Sequence, residues 1–404
     1  MLKITSNDKY NQDIVNYVMD TICEKGIYID KENAEEVYND ISSIISENEQ
    51  SAIDILPEEL KGVNLNSNNQ IVKIMNNYFD MSSYAERTKS NGYSYKKEVL
   101  ERIIENEGDN LAGQFAYYLK EYKSWYSLRN KVKEVVSFMD ENNYVHPSWS
   151  HCETNRIHFS KPALSNLHNS VRSIISAPPG YKLIKVDYRQ QEPYIMVNML
   201  GIDYLKREME KSDDFYAAMV KVLTGKEIEP EHRDLVKLIW LAGTYGSSLT
   251  NIPVTDDELE FIKELRSKIL NIPEITEFKN YIRNVMIPQG KNIVSYFGTQ
   301  REYPRWIKDV DKLERVIFNN TIQITGADIL FFAMESCLDK FNKLGLPEDV
   351  IRIYLTLHDE ITFLAREDVI SEELIEEIKD AMILDIEGWS KIKVKVSILD
   401  NYRD

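Results

Sequence analysis

The chain has 404 residues, a hydrophobic fraction of 43% and a net charge of −17, from 49 Lys and Arg against 66 Asp and Glu. That length exceeds what one core supports, so two or three subdomains are expected, and the apolar fraction is that of a globular protein. No apolar run approaches membrane-spanning length, the N-terminus lacks a secretion-signal layout, and Cys23, Cys152 and Cys337 offer neither a disulfide framework nor paired metal spacing, so a soluble protein of the reducing cytoplasm is expected.

Residues 13 to 50 read as helical, with a break at KGIYIDKEN where Gly26 stops one helix and Asp30 can cap the next. From 51 to 95 the pattern weakens to a polar GVNLNSNNQ turn and a loose SSYAERTKSNGYSY segment, expected to be a mobile tip. Beyond 96, Val99, Leu100, Ile103 and Ile104 form one helical stripe, and Leu111, Phe115, Tyr118, Tyr122 and Trp125 form another, both read as helix packing. YVHPSW and TNRIHFSKPALSNLHN are rich in Pro, Ser, Asn and His and predict an irregular polar connection. KLIKVDYRQQE then reads as a buried strand ending in a polar cluster, which delivers Asp187 to a sheet edge. Helices follow to about 285, then a hairpin in KNIVSYFGTQREYP and a long helix over 309 to 344 ended by Gly345 and Pro347. A second hairpin over 353 to 366 carries His358, Asp359 and Glu360 at its turn, before an acidic helix and the short strand IKVKVSIL.

The acidic balance, taken alone, opposes a polyanionic partner, but such a site needs only a local basic surface. Basic residues do cluster: Lys73, Arg87, Lys89, Lys96, Lys97 and Arg102 in one stretch, and Arg156, Lys161, Arg172, Lys182, Lys185 and Arg189 around the Asp187 strand. If that strand and the late hairpin lie side by side, Asp187 and Asp359 converge, and two close carboxylates stay ionised only with a cation between them. Hard oxygen ligands on a rigid scaffold suit magnesium, which keeps waters and is completed by substrate phosphates. In EHRDLVKLIWLAGTYG, Arg233, Lys237, Leu241 and Tyr245 recur every four residues, an arrangement a triphosphate and a stacked base would use. Arg315, Asn319 and Gln323 repeat likewise along the late helix, where amides could read minor-groove acceptors common to all base pairs.

In order and spacing these stretches resemble DNA polymerase family A. VDYRQQE resembles its first signature, RDLVKLIWLAGTYG the second and LHDE the third, with TNRIHFSKPALSN, NIVSYFGTQREYP and NTIQITGADI as supporting matches. The resemblance implies an α+β right-hand polymerase fold with an antiparallel palm sheet, a helical thumb and helical fingers. It implies an N-terminal palm-associated segment at 1–30, thumb at 31–118, palm at 119–202 and 290–404, and fingers at 203–289. Asp187, Asp359 and the backbone carbonyl of Tyr188 would bind two Mg²⁺ ions, with Mn²⁺ able to substitute. Arg233, Lys237, Leu241, Tyr245, Glu192, Gln190 and Tyr216 would form the nucleotide site, with Arg233 and Lys237 on the phosphates and Glu192 excluding a ribose 2′-hydroxyl. Arg156, Asn166, Arg315, Asn319, Gln323, His358 and Glu360 would contact primer and template.

The expected activity is primer extension with dNTPs on a DNA template by a monomer that needs no membrane, in a phage, plasmid or repair setting. Nothing before residue 13 has room for a proofreading exonuclease domain, so none is expected in this chain. Leu241 stands where the family usually has an aromatic residue, Ala242 where Gly is frequent, Tyr216 where a phosphate-binding His is frequent, and Ser165 where Gln is usual. A phenol donates one hydrogen bond without charge, so a weaker phosphate contact is expected at Tyr216. Two other readings share these residues: a single-subunit RNA polymerase-like enzyme, which Glu192 opposes, and a non-catalytic primer-template-binding replication subunit.

Overall fold

The structure, a computed structural model, describes residues 3–88, 92–212, 214–246 and 256–402, without the side chains of 256–257. Lys89 of the first basic cluster lies outside the described residues. The chain divides into two compact units, one of Met1–Lys25, Trp149–His158 and Pro179–Asp400, the other of Gly26–Ser148, Phe159–Pro178 and Asn401–Asp404.

The second unit is built on two long helices, α1 (Lys31–Asp54) and α2 (Leu111–Ser137), that pack along each other. Asp30 caps α1 by accepting from the Asn33 N–H at 3.1 Å, and Asn110 caps α2 by accepting from the Gly113 N–H at 2.9 Å, satisfying donors that have no intrahelical partner. Ile41 and Ile45 of α1 and Phe115, Leu119 and Tyr122 of α2 are buried. Leu111 is instead exposed, because it is the first residue of α2 and lies beyond the partner face. The segment expected to be a loose tip is partly ordered: Asn68–Lys73 is helical, and Glu86–Arg87 pairs antiparallel with Tyr93–Ser94.

The connection expected to be irregular also carries strands, β1 (Ser148–His151) and β2 (Ile157–Ser160), which pair with each other. In the first unit β3 (Tyr181–Tyr188) leads into α3 (Gln191–Leu200), α4 (Phe215–Thr224), α5 (Arg233–Tyr245) and α6 (Asp256–Leu270). The long α7 (Val310–Lys343) then precedes β4 (Ile351–Leu357), β5 (Glu360–Arg366) and β6 (Val394–Leu399). Four strands form one antiparallel sheet in the order β4-β5-β3-β6. Leu183, Ile184 and Val186 of the central β3 are fully buried, as a strand covered on both faces requires.

Helix α7 is long and apolar enough to cross a membrane by length and composition, contrary to the sequence expectation, but 78% of its most apolar window is buried inside the protein. Most of its apolar side chains from Leu313 to Phe341 are core, and Phe341 meets Phe363 of β5 edge to face at 5.6 Å. Gly326 lets α3 approach α7, since a Cβ there would lie 2.6 Å from Gln191 Oε1.

Candidate active site

Strand pairing places both predicted acids at one end of the β3–β5 ladder. Asp187 lies opposite Glu360 in the β3–β5 register, and the Tyr188 N–H donates to the Asp359 carbonyl at 3.3 Å. The register pairs Leu357 with Glu360, so His358 and Asp359 are a two-residue turn, and His358 takes φ 55°, the left-handed conformation such turns favour. His358 is exposed, Asp359 half-buried and Glu360 buried with its carboxylate 3.9 Å from Lys185 Nζ. Burial pushes the Asp359 carboxyl above its ordinary range, Arg156 opposes that rise, and Glu192 adds to it. Tyr188 turns its phenol into the core, donating to the Met382 carbonyl at 2.6 Å, which leaves only its backbone as a candidate ligand.

The donor set of Asp187, Asp359 and the Tyr188 carbonyl has the chemistry that hard divalent ions such as magnesium prefer. It consists of oxygens only, and among the described residues no group of three or more His, Cys, Asp or Glu is placed to hold a metal ion by itself. Two carboxylates beside a strand-end backbone suit an ion that keeps waters and takes its remaining ligands from substrate phosphates.

Glu192, in the first turn of α3, joins two elements. It accepts from Arg156 Nη2 at 3.1 Å with one oxygen and from the Tyr245 hydroxyl at 3.1 Å with the other. Burial, and then the Glu192 carboxylate, push the Tyr245 phenol well above its ordinary value, so it stays a donor at neutral pH. Helix α5 buries Val236, Ile239, Trp240, Gly243 and Thr244, with Trp240 against Phe215 of α4 at 4.8 Å, and this leaves Arg233, Lys237, Leu241 and Tyr245 on the less buried side. Lys237 is exposed and makes no ion pair among the described residues.

Arg233 differs: its Nε donates to Asp214, the residue that caps α4 through the Tyr216 N–H at 2.8 Å. Gln190 completes this cluster, donating to Asp214 at 3.0 Å and accepting from the Phe215 N–H at 2.8 Å. Burial works to raise the Asp214 carboxyl, but Arg233, Gln190 and the Tyr216 N–H outweigh it and hold the group below the usual carboxylate range. The Arg233 guanidinium also lies 5.3 Å from the Tyr216 ring centroid, and burial pushes the Tyr216 phenol far up.

Arg315, Asn319 and Gln323 are all half-buried on α7, and Gln323 donates to Asn319 at 3.3 Å. Arg315 packs against Gly246, the residue that ends α5 at φ 73°. Asn166 is exposed and belongs to the other unit, where its carbonyl accepts from Lys131 at 2.9 Å. Ser165 accepts from the Phe159 N–H at 2.8 Å in that unit.

The family model for DNA polymerase family A matches residues 31–404. The chain belongs to DNA polymerase family A. Its relatives include the DNA polymerase I of Chloroflexus aurantiacus, 23% identical over 80% of this chain and 36% of that protein, and of Borreliella burgdorferi, 25% identical over 86% and 38%. The Rhizobium leguminosarum DNA polymerase I is 26% identical over 55% of this chain and 23% of its own length. The family A chain thus spans 23 to 38% of the length of these relatives. A solved structure of the POL domain of Pol1 from M. smegmatis, in complex with DNA primer-template and dNTP, covers 96% of this chain and 70% of its own, with a TM-score of 0.81 at 20% identity. The fold of this family A member is therefore the α+β, right-hand polymerase-domain fold expected from its sequence.

Sequence reasoning missed several polar residues of the site. Asp214 gave no signal beyond its place before an apolar run. Lys279, buried enough to lower its ammonium pKa, donates to the Gly243 carbonyl at 3.4 Å and lies 5.2 Å from the Phe318 ring. Asn155 and Asp328 are buried polar residues hydrogen-bonded to each other, and nothing in their sequence spacing, 173 residues apart, pairs them.

Proposed function

We propose that the chain is a template-directed DNA polymerase that extends a primer 3′-end with deoxynucleotides by two-metal-ion nucleotidyl transfer. The observation that supports this reading is the pairing that sets Asp187 opposite Glu360 and the Tyr188 N–H on the Asp359 carbonyl, so that both acids lie at one end of the β3–β5 ladder. Asp187, Asp359 and the Tyr188 carbonyl would hold two Mg²⁺ ions, or Mn²⁺ in their place. When bound, such ions lower the pKa of a primer hydroxyl and offset charge on a triphosphate and its leaving group.

The chain's own residues do the rest. Lys237, free of carboxylates among the described residues, and Arg233 bind the β- and γ-phosphates and stabilise the charge that builds as the bond to pyrophosphate breaks and the bond from the primer oxygen to the α-phosphorus forms. Gln190 holds the turn after Asp187 against α4, and Tyr216 supplies a neutral flank to Arg233. Leu241 and Tyr245 lie against the incoming base. Glu192, fixed by Arg156 and Tyr245, occupies the volume a 2′-hydroxyl would need. Arg156, Asn166, Arg315, Asn319, Gln323, His358 and Glu360 contact primer and template through groups common to all sequences.

In domain terms the reading assigns an N-terminal palm-associated segment to 1–30, the thumb to 31–118, the palm to 119–202 and 290–404 and the fingers to 203–289, in a soluble cytoplasmic monomer. Primer extension on a defined template tests it: incorporation of dNTPs in Mg²⁺ is expected, with a loss of at least about a thousandfold in Asp187→Ala and in Asp359→Ala. Near-normal extension by either variant would overturn the mechanism.

A further inference from the structure

The turn between β1 and β2 is tied into the core by a polar side chain. The Cys152 N–H donates to the Arg156 carbonyl at 2.9 Å, the Asn155 N–H donates to the Cys152 carbonyl at 3.0 Å, and Asn155 takes φ 64°, a left-handed conformation that costs a non-glycine residue energy. Asn155 is only 1% exposed. Its side-chain amide donates to Asp328 Oδ1 of α7 at 3.3 Å and to the Tyr10 hydroxyl at 3.2 Å, while its backbone carbonyl meets His151 Nδ1 at 3.0 Å.

Asp328 is itself fully buried, and its other oxygen accepts from Ser295 Oγ at 2.5 Å. That serine closes the 293–301 hairpin, accepting from the Thr299 N–H at 3.0 Å. A buried carboxyl is costly to keep, and it persists where its donors are matched to it. Here the donors reach the residue immediately before Arg156, and Arg156 acts on both Glu192, by a hydrogen bond, and Asp359, through its charge.

We infer that Asp328 is a positioning residue for sugar selection: by gripping the Asn155 amide it fixes the turn that carries Arg156, and through Arg156 it fixes the Glu192 carboxylate. The effect runs along one chain of contacts, Asp328 to Asn155, then Arg156, then Glu192. It rests on the polymerase reading of the site, with Glu192 as the gate against ribose.

The test compares kcat and KM for dNTP and rNTP incorporation in wild type, Asp328→Asn, Asn155→Gly, Arg156→Ala and the Asp328→Asn/Arg156→Ala double variant. Glycine at 155 accepts the left-handed backbone, so it removes the amide while keeping a turn that can fold. Asp328→Asn and Asn155→Gly are each expected to lower the preference for dNTP about fivefold, and the double variant to lose no more selectivity than Arg156→Ala alone. Unchanged selectivity in folded Asn155→Gly, or losses that add in the double variant, would overturn the proposal. Trypsin cleavage at the Arg156–Ile157 bond gives a readout that needs no polymerase activity. It is expected to accelerate in both single variants relative to cleavage at other sites, and an unchanged rate would overturn the positioning role even if the wild type extended no primer, which would instead defeat the polymerase reading.

Discussion

Arg233 donates its Nε to the carboxylate of Asp214, so a predicted phosphate-binding cation is partly neutralised by the residue that caps the neighbouring helix. On the proposed reading, a triphosphate approaching α5 would compete with an acid for Arg233 and would meet Lys237 without such competition among the described residues.

Asp214→Asn separates capping from charge, because asparagine caps helices about as well as aspartate. The variant is expected to keep its thermal midpoint within a few degrees and to lower KM for dNTP by roughly threefold in steady-state extension. A raised KM would mean that Asp214 orients Arg233 rather than restraining it.

Glu192→Ala removes the shared acceptor of Arg156 and Tyr245. Competitive incorporation should show discrimination against rNTP falling by about tenfold or more, with dNTP turnover reduced less. Retained discrimination would remove Glu192 from the gate.

Gly246→Ala places a Cβ 2.5 Å from Arg315 Cδ at a backbone φ of 73°. Both the left-handed backbone and the contact penalise the methyl, so a stability loss of about 1–2 kcal/mol is expected. Because Arg315 must move, primer-template affinity in a fluorescence titration should also weaken by a few fold.

Stability should depend on Asp328 in a defined pH window. Burial pushes its carboxyl up to about 6, despite the donors Ser295, Thr299 and Asn155 and the nearby Lys9. Tyr10, Arg301 and His151 share this region, and burial lowers the His151 imidazole. The folded state thus binds the Asp328 proton more tightly than the unfolded chain, so this group opposes folding above pH 6 and ceases to do so as pH falls towards 4. The difference in stability between wild type and Asp328→Asn should shift in favour of wild type by roughly 2 kcal/mol between pH 7 and pH 4. Denaturant melts across that range measure it, and a pH-independent difference would contradict the raised carboxyl.

Much of this protein was legible from local pattern. The alternation around Asp187 and Asp359 located a strand and a hairpin, the four-residue repeat from Arg233 to Tyr245 located a helix face, and Asp30 marked a cap, since strand alternation, helix periodicity and capping are set within a few residues along the chain. The stretch from TNRIHFS onward looked irregular because its polar residues hid a strand that pairs with the one just before it, Ser148–His151. Tertiary structure alone decided that Asn155 would be buried on Asp328, that Arg233 would meet Asp214, that Glu192 would join Arg156 to Tyr245, and that the apolar α7 would be core. Those pairings join residues 19 to 173 positions apart, and no periodicity encodes which distant donor a buried acceptor will find once the chain has closed around it.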